Sequence, residues 1–434
     1  PEVAAPEGTP EEIYEAGILL WVVDSNKTNP NLDDVLSYTR TNNVKDARKA
    51  LEKIIKDQDL SFVVDKIEKP LIPISKAMTS VGIKIDVERL KVLSKKYHAE
   101  LSSLEKKIWK IVGEEFNISS PKQLGEMLFV KMGLSVKNQK KNASGGFSTK
   151  ESELEKLRDA HPIAGLILDY RELSKLLGTY IDTIPTLVDK NNRLHSEFLQ
   201  AGSATGRMAS QNPGIQNIPN KTELGREIRK SFIAEKGWKL VSFDYSQIEL
   251  RIAAFLSGDK KFIEIFKNGE DVHTSVASEV FGVKPEEVTK EMRAKAKVIN
   301  FGVMYGMGVT ALQKNIKSNR EEAQEFLNGY FNKFSGLAEY LEKVKRETVQ
   351  KGYTETFFGR RRYFPEIHSK LPFMKASAER MAINAPIQGT GADLVKLAMI
   401  EVDNFLEKKS LKKDVRLLLQ VHDELVFEVK ENIV

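Results

Sequence analysis

Asp244 stands at the end of a run, Lys239–Phe243 (KLVSF), that reads as a buried strand, and an apolar helical pattern opens within a few residues of it. An ionised aspartate is almost never buried without a partner, so core packing explains it poorly. Asp423 and Glu424 sit between two further apolar runs in RLLLQVHDELVFEV (416–429), where a tight hairpin would hold them at its bend. Taken singly, each of these acids reads as an ordinary turn residue. Taken together, acids at the ends of strands that share a sheet would converge. Paired carboxylates are hard oxygen ligands for Mg²⁺, and two such ions serve phosphoryl transfer.

A second set is helical. EMRAKAKVINFGVMYGMG spaces Arg293, Lys297, Phe301 and Tyr305 four apart. Four residues advance about 400°, so the set forms one slowly drifting stripe. A solvated face would not end in two aromatics, and a core face would not begin with two cations. The combination suits a phosphate-bearing ligand with a planar group at one end. Thr289 is the candidate N-cap and Gly306 lies just past the end. In a third set, Arg380, Asn384 and Gln388 are again four apart and suit hydrogen bonding to nucleic acid. A polar helix face is the competing explanation, and Pro386 is expected to interrupt the helix.

The elements that must carry these residues can be outlined. The first dozen residues read as a loose acidic terminus, followed by a strand-like run at Ile18–Val23 and a helix from about Leu32. Residues 83–190 carry helical patterns, chief among them Val87–Val112 with Asp86 as N-cap. Residues 131–150 hold five lysines and no acid, either a solvated loop or a basic tip that tracks phosphates. Residues 203–220 are too rich in Gly, Pro and Asn for a regular element, and 259–374 read as mostly helical.

Composition narrows the classes. The 434 residues suffice for two to four domains, and 41% hydrophobic with 29% charged is ordinary globular composition. A formal charge of +6 is too small to prove a polyanionic partner. With no cysteine, disulfides, thiolate metal sites and cysteine nucleophiles are excluded. The longest apolar run, Gly17 to Val23, is too short to span a bilayer, and the acidic opening is no signal peptide. The expectation is a soluble cytoplasmic protein, an enzyme or a nucleic-acid binder, without a membrane partner.

Six segments together resemble the family A DNA polymerases, in the form of the large, Klenow-type fragment of bacterial DNA polymerase I. SFDYSQIELRIAAFLSGD (242–259), RAKAKVINFGVMYG (293–306) and LQVHDELVFEV (419–429) are similar to the family's motifs A, B and C. SATGRMASQNPGIQNIP (203–219), DVHTSVA (271–277) and SAERMAINAPIQGTGAD (377–393) accompany them in the family's order, and the likeness runs from about residue 69 to 429.

The resemblance implies an α+β right hand: a thumb and its connection over 69–190, a palm over 191–258 and 375–434 with an antiparallel sheet, and helical fingers over 259–374. Residues 1–68 would be an inactive remnant of a 3′–5′ exonuclease-like domain. The implied activity is template-directed addition of deoxynucleotides to a primer, in replication and repair, by a monomer using two Mg²⁺ ions. Its partners would be primer–template DNA and deoxynucleoside triphosphates. Asp244, Asp423 and the Tyr245 carbonyl would hold the metals, with Glu424 in support. Arg293, Lys297, His273 and Gln247 would meet the triphosphate, with Lys297 also protonating the pyrophosphate. Phe301 and Tyr305 would pack on the bases, and Glu249 would fill the space of a ribose 2′-hydroxyl, held there by Tyr305. Arg207, Arg380, Asn384, Gln388 and His422 would contact the primer–template.

The chain departs from the family pattern at its ends. Residues 1–68 contain no Asp-x-Glu pair, and the pair at Asp86 and Glu88 reads as capping, so no proofreading is expected. An RNA polymerase on the same palm, a silent nucleic-acid-binding module and a metal-dependent nuclease are the rivals. Glu249 argues against the first, the intact acids and cations against the second, and the triphosphate stripe against the third.

Overall fold

In the computed structural model, residues 8–135, 140–142 and 145–434 are described; part of the basic segment 131–150 lies outside them. The sheet that matters for the site has three antiparallel strands, with Glu424–Lys430 in the centre, Trp238–Asp244 on one side and Val415–Val421 on the other. Its register sets Glu424 opposite Asp244 and Lys430 opposite Trp238. One face packs on the main core through Leu425, Phe427 and Val429, each worth about 1.5–3 kcal/mol when fully buried. Glu428 on the central strand is fully buried. Arg193 meets it at 3.0 Å and Arg416 at 3.3 Å, while the Glu235 backbone N–H donates at 2.9 Å. That carboxylate ties the sheet to Arg193–Leu194, an edge of a second three-stranded sheet whose middle strand is Ile83–Ile85.

Helices surround both sheets. Val87–Val112 forms as the spacing predicts, with Asp86 Oδ1 accepting from the Arg89 N–H. Its far half joins Ile163–Leu176 around a separate apolar core. Val272–Phe281 and Lys290–Met304 pack side by side, and Ser335–Lys351 leads into the hairpin Tyr353–Glu355 with Arg361–Tyr363. Helix Pro372–Lys408 then crosses the molecule against Ile248–Ser257.

Three expectations need correction. Ile18–Val23 is not a strand: it ends the helix Pro10–Val23, and Ala16 to Val23 are all buried. A helix enclosed on every side has no polar face, so its periodicity cannot be told from that of a buried strand. Residues 8–12 are not loose either, because Thr9 and Glu12 form a capping box and Pro10 occupies the first turn. Finally, Pro386 does not interrupt its helix, which runs unbroken for 37 residues. Pro386 and its neighbours on both sides are buried, so packing offsets the one hydrogen bond that proline forgoes.

Candidate active site

The strand bearing Asp244 lies at the sheet's edge and is exposed over its last three residues, with Phe243 62% exposed. The premise that Asp244 ends a buried strand is therefore wrong, although the carboxylate stands where a ligand can reach it. The hairpin turn between the other strands brings His422 round at a φ of 57° and delivers Asp423 beside Asp244. The Tyr245 backbone N–H donates to the Asp423 carbonyl at 3.1 Å, which locks the two strand ends together. Partial burial and the nearby Asp423 carboxylate push Asp244 above the usual carboxylate range. Among the described residues, neither aspartate is paired with a cation. No group of three or more metal-binding side chains is preassembled among them either. The two carboxylates thus have open oxygens, unneutralised charge and a hard donor set, which fits a divalent cation.

The stripe forms as the spacing predicts. Lys290–Met304 starts at Thr289, whose hydroxyl caps the Met292 N–H. Arg293 and Lys297 are exposed, Phe301 is half-buried, and Tyr305 sits just past the last turn. Arg293 is not free: its guanidinium clasps Asp271 at 2.8 and 3.0 Å, and this bidentate bond holds the Asp271 carboxyl well below its ordinary value. Asp271 also caps the helix carrying His273 by accepting from the Thr274 N–H at 2.8 Å. Lys297 has no ion-pair partner among the described residues. Gly306 follows Tyr305 at a φ of 66°, and a Cβ there would fall 2.8 Å from Arg380 Cγ. Only glycine allows helix Lys290–Met304 to end this close to helix Pro372–Lys408.

Glu249 joins the two halves. One of its carboxylate oxygens accepts from Arg207 at 2.6 Å and the other from the Tyr305 hydroxyl at 3.0 Å. Burial and that carboxylate push the Tyr305 hydroxyl up to about 12, so it stays a neutral donor. Arg207, Glu249, Gln388, His422 and Asp423 line one pocket, together with Lys396. Arg380 is exposed on the same long helix, whereas Asn384 is only 6% exposed and its amide nitrogen has no partner. Gln247 begins the helix after Asp244 at a φ of 55° with its side-chain oxygen unpartnered.

Three participants escape a sequence reading. Asp271 looks like an ordinary acid at the start of a helix, and its ion pair with Arg293 depends on two helices packing. Asn300, fully buried beside His273, looks like an ordinary helix residue. Lys396 looks like an exposed lysine in a helical pattern and is instead 1% exposed.

The site thus sets two neighbouring carboxylates at a sheet corner and a helix of cations and aromatics whose last member, Tyr305, is bonded to Glu249. The family model for DNA polymerase family A matches residues 87–434, and the chain belongs to that family. It is 45% identical over 373 residues to the thermostable DNA polymerase I of Thermus aquaticus, covering 86% of this chain and 44% of that protein. Against DNA polymerase I of Bacillus subtilis it is 44% identical over 393 residues, covering 90% and 44%. The chain spans about half the length of these curated relatives. The polymerase domain of Pol1 from M. smegmatis, solved with DNA primer–template and dNTP, superposes with a TM-score of 0.88 at 36% identity. That likeness covers 96% of this chain and 75% of the other. The α+β polymerase fold is therefore that of a Klenow-type family A enzyme. Among the described residues, no helix is long and apolar enough to cross a membrane.

Proposed function

We propose that this chain carries template-directed DNA polymerisation, adding deoxynucleotides to a primer 3′-hydroxyl and releasing pyrophosphate, in replication and repair. One observation carries the reading: Glu249 bonds Tyr305 at the end of the stripe and lines the same pocket as Asp423, so a nucleotide on Arg293 and Lys297 would have its sugar at Glu249 and its phosphates toward Asp244 and Asp423. Asp244, Asp423 and the Tyr245 carbonyl would hold two Mg²⁺ ions, with Glu424 supporting. Bound there, such ions supply Lewis acidity to the primer hydroxyl and the departing pyrophosphate.

The remaining work falls to the chain's own groups. Arg293 holds the triphosphate oxygens by exchanging its Asp271 contact for them, and His273 adds a hydrogen bond, with Gln247 nearby. Lys297, exposed and without an ion-pair partner among the described residues, attracts the phosphates and gives a proton to the leaving pyrophosphate. Phe301 packs on the nucleotide's base and sugar, and Tyr305 stacks near the template base. Glu249, pinned from two sides, leaves no room for a 2′-hydroxyl. Arg207, Gln388 and Asn384 face the minor-groove side of the terminal pair, with Arg380 nearby and His422 near the primer end.

The division into thumb (69–190), palm (191–258 and 375–434) and fingers (259–374) belongs to this reading, as do a monomeric state and the absence of proofreading by residues 1–68. Primer extension with Mg²⁺ and four deoxynucleotides tests it. Extension directed by the template is expected; a primer that is only shortened would mark a nuclease instead, and one merely bound would mark a silent binding module.

A further inference from the structure

His273 and Asn300 meet in the seam between the two finger helices, away from solvent. His273 is 4% exposed and Asn300 fully buried, and the Asn300 Nδ2 atom lies 3.0 Å from His273 Nδ1. An amide nitrogen has only hydrogens to offer, so Nδ1 must accept and carries no proton. The single ring proton then sits on Nε2, which has no hydrogen-bond partner among the described residues. Turning the amide over would let its carbonyl accept from Nδ1–H, but it would leave a buried NH₂ where the unpartnered Oδ1 now stands. An orphaned buried donor is the costlier of the two. Asn300 is fully buried in the helix that also carries Lys297 and Phe301, and the Phe301 ring centroid lies 5.8 Å from that of His273.

We propose that Asn300 is a positioning residue that fixes His273 as the Nε2–H tautomer and so makes the imidazole an uncharged hydrogen-bond donor to the incoming nucleotide's phosphates. The proposal deepens the reading above and rests on it for the identity of the ligand. Its physical point is the crowding of charge at this seam. Arg293 and Lys297 on the neighbouring helix disfavour an imidazolium, Asp271 on its own helix favours one, and burial, the largest influence, holds the ring's pKa below the ordinary histidine value. An uncharged ring adds a donor without adding a third repelling cation. In the opposite tautomer the Nε2 lone pair would face phosphate oxygens and repel them.

The first test needs no substitution. The chain has six histidines, so ¹⁵N–¹H correlation spectra of histidine-labelled protein, with His273 assigned by its loss in His273→Gln, report the tautomer directly. The expected pattern is Nε2–H; an Nδ1–H pattern, or a mixture, overturns the proposal. The second test is Asn300→Asp, whose carboxylate accepts from Nδ1–H and raises the ring's pKa. At low pH the charged ring still donates from Nε2, whereas at high pH only Nδ1–H remains. The variant-to-wild-type ratio of dNTP KM should therefore climb about tenfold or more as pH rises through the ring's titration, the loss of one hydrogen bond to a charged group. A merely structural role would lower kcat or stability without tilting this ratio, and a flat ratio refutes the proposal. If His273→Gln leaves dNTP KM unchanged, phosphate binding by His273 fails, while the spectra still decide what Asn300 does.

Discussion

Two groups of four charges in this molecule are built in opposite ways. Glu68, Arg360, Asp393 and Lys396 are all at most 4% exposed and neutralise one another. Arg360 bonds both acids, reaching Asp393 at 2.7 Å, and Lys396 reaches Glu68 at 2.6 Å. The spare acceptors are filled by Gln200 at 2.9 Å and Thr356 at 2.8 Å, and Trp21 lies under both cations. Burial alone would raise the Glu68 carboxyl, yet Lys396 and Arg360 outweigh it and hold it below the usual range. Burial meanwhile pulls Lys396 down to about 8. In the second group, Asp244, Asp423, Arg293 and Lys297, no member is paired with another, and among the described residues only Arg293 has an ion partner, Asp271 from outside the group. Partial burial, together with the neighbouring Asp423 carboxylate, shifts Asp244 upward where Glu68 shifts downward. The lesson is physical. Charges that complete each other hold elements together, and charges left uncompleted at a surface are available to ions and substrates.

The comparison can be broken most severely at the open corner. Asp244→Asn or Asp423→Asn should lower single-turnover extension by about a thousandfold or more, roughly 4 kcal/mol. The melting temperature should hold or rise, because removing one of two like charges relieves repulsion. Primer–template affinity, measured by fluorescence anisotropy, should persist, since it rests on distributed phosphate contacts. Either variant extending at a tenth of the wild-type rate would remove these aspartates from the chemistry.

The buried group should respond the other way. Glu68→Gln strands two buried cations on one remaining acid and is expected to cost about 3–5 kcal/mol of stability. Turnover per folded molecule should stay near wild type at a temperature where the variant is folded. The sign of the pH dependence follows from the depressed carboxyl. Its stabilisation is present above the ordinary carboxylate pKa and lost as pH falls through the lower folded value. Denaturant titrations should therefore show a shallower loss of stability on acidification in Glu68→Gln than in wild type. Equal slopes would mean that this carboxylate is not what holds the cluster.

Glu249 lies between the extremes, bonded through both oxygens yet lining a pocket. Glu249→Ala should raise ribonucleotide use relative to deoxynucleotide by tenfold or more in kcat/KM, about 1.4 kcal/mol or above. Tyr305→Phe should give a smaller change in the same direction, because Arg207 still holds the carboxylate. A shift under about threefold for Glu249→Ala, roughly 0.7 kcal/mol, would make it an ordinary acid in the first turn of a helix.

The smallest expected effect is none. Residues 1–68 contain no Asp-x-Glu pair to hold metals for 3′–5′ cleavage, so on the proposed reading a mismatched primer given Mg²⁺ and no nucleotide should keep its length on denaturing gels. Shortening that survives Asp244→Ala, which excludes pyrophosphorolysis, would expose a second metal site.

Sequence by itself determined the elements whose signals are local. Spacing by four put Arg293, Lys297, Phe301 and Tyr305 on one stripe, capping marked Asp86 and Thr289, and apolar runs around His-Asp-Glu gave the hairpin. Each depends only on backbone geometry within a few residues. Tertiary structure decided what local signals cannot encode. Enclosure made Ile18–Val23 helical and carried the long helix through Pro386, because burial on every side removes periodicity and lets packing outweigh a local breaker. Partnerships were likewise invisible: Glu249 with Arg207, Asp271 with Arg293, Asn300 with His273, and Glu68 with a lysine 328 positions away. A hydrogen bond acts over about 3 Å, so only the folding of distant segments against one another chooses which charges are satisfied and which stay open for a ligand.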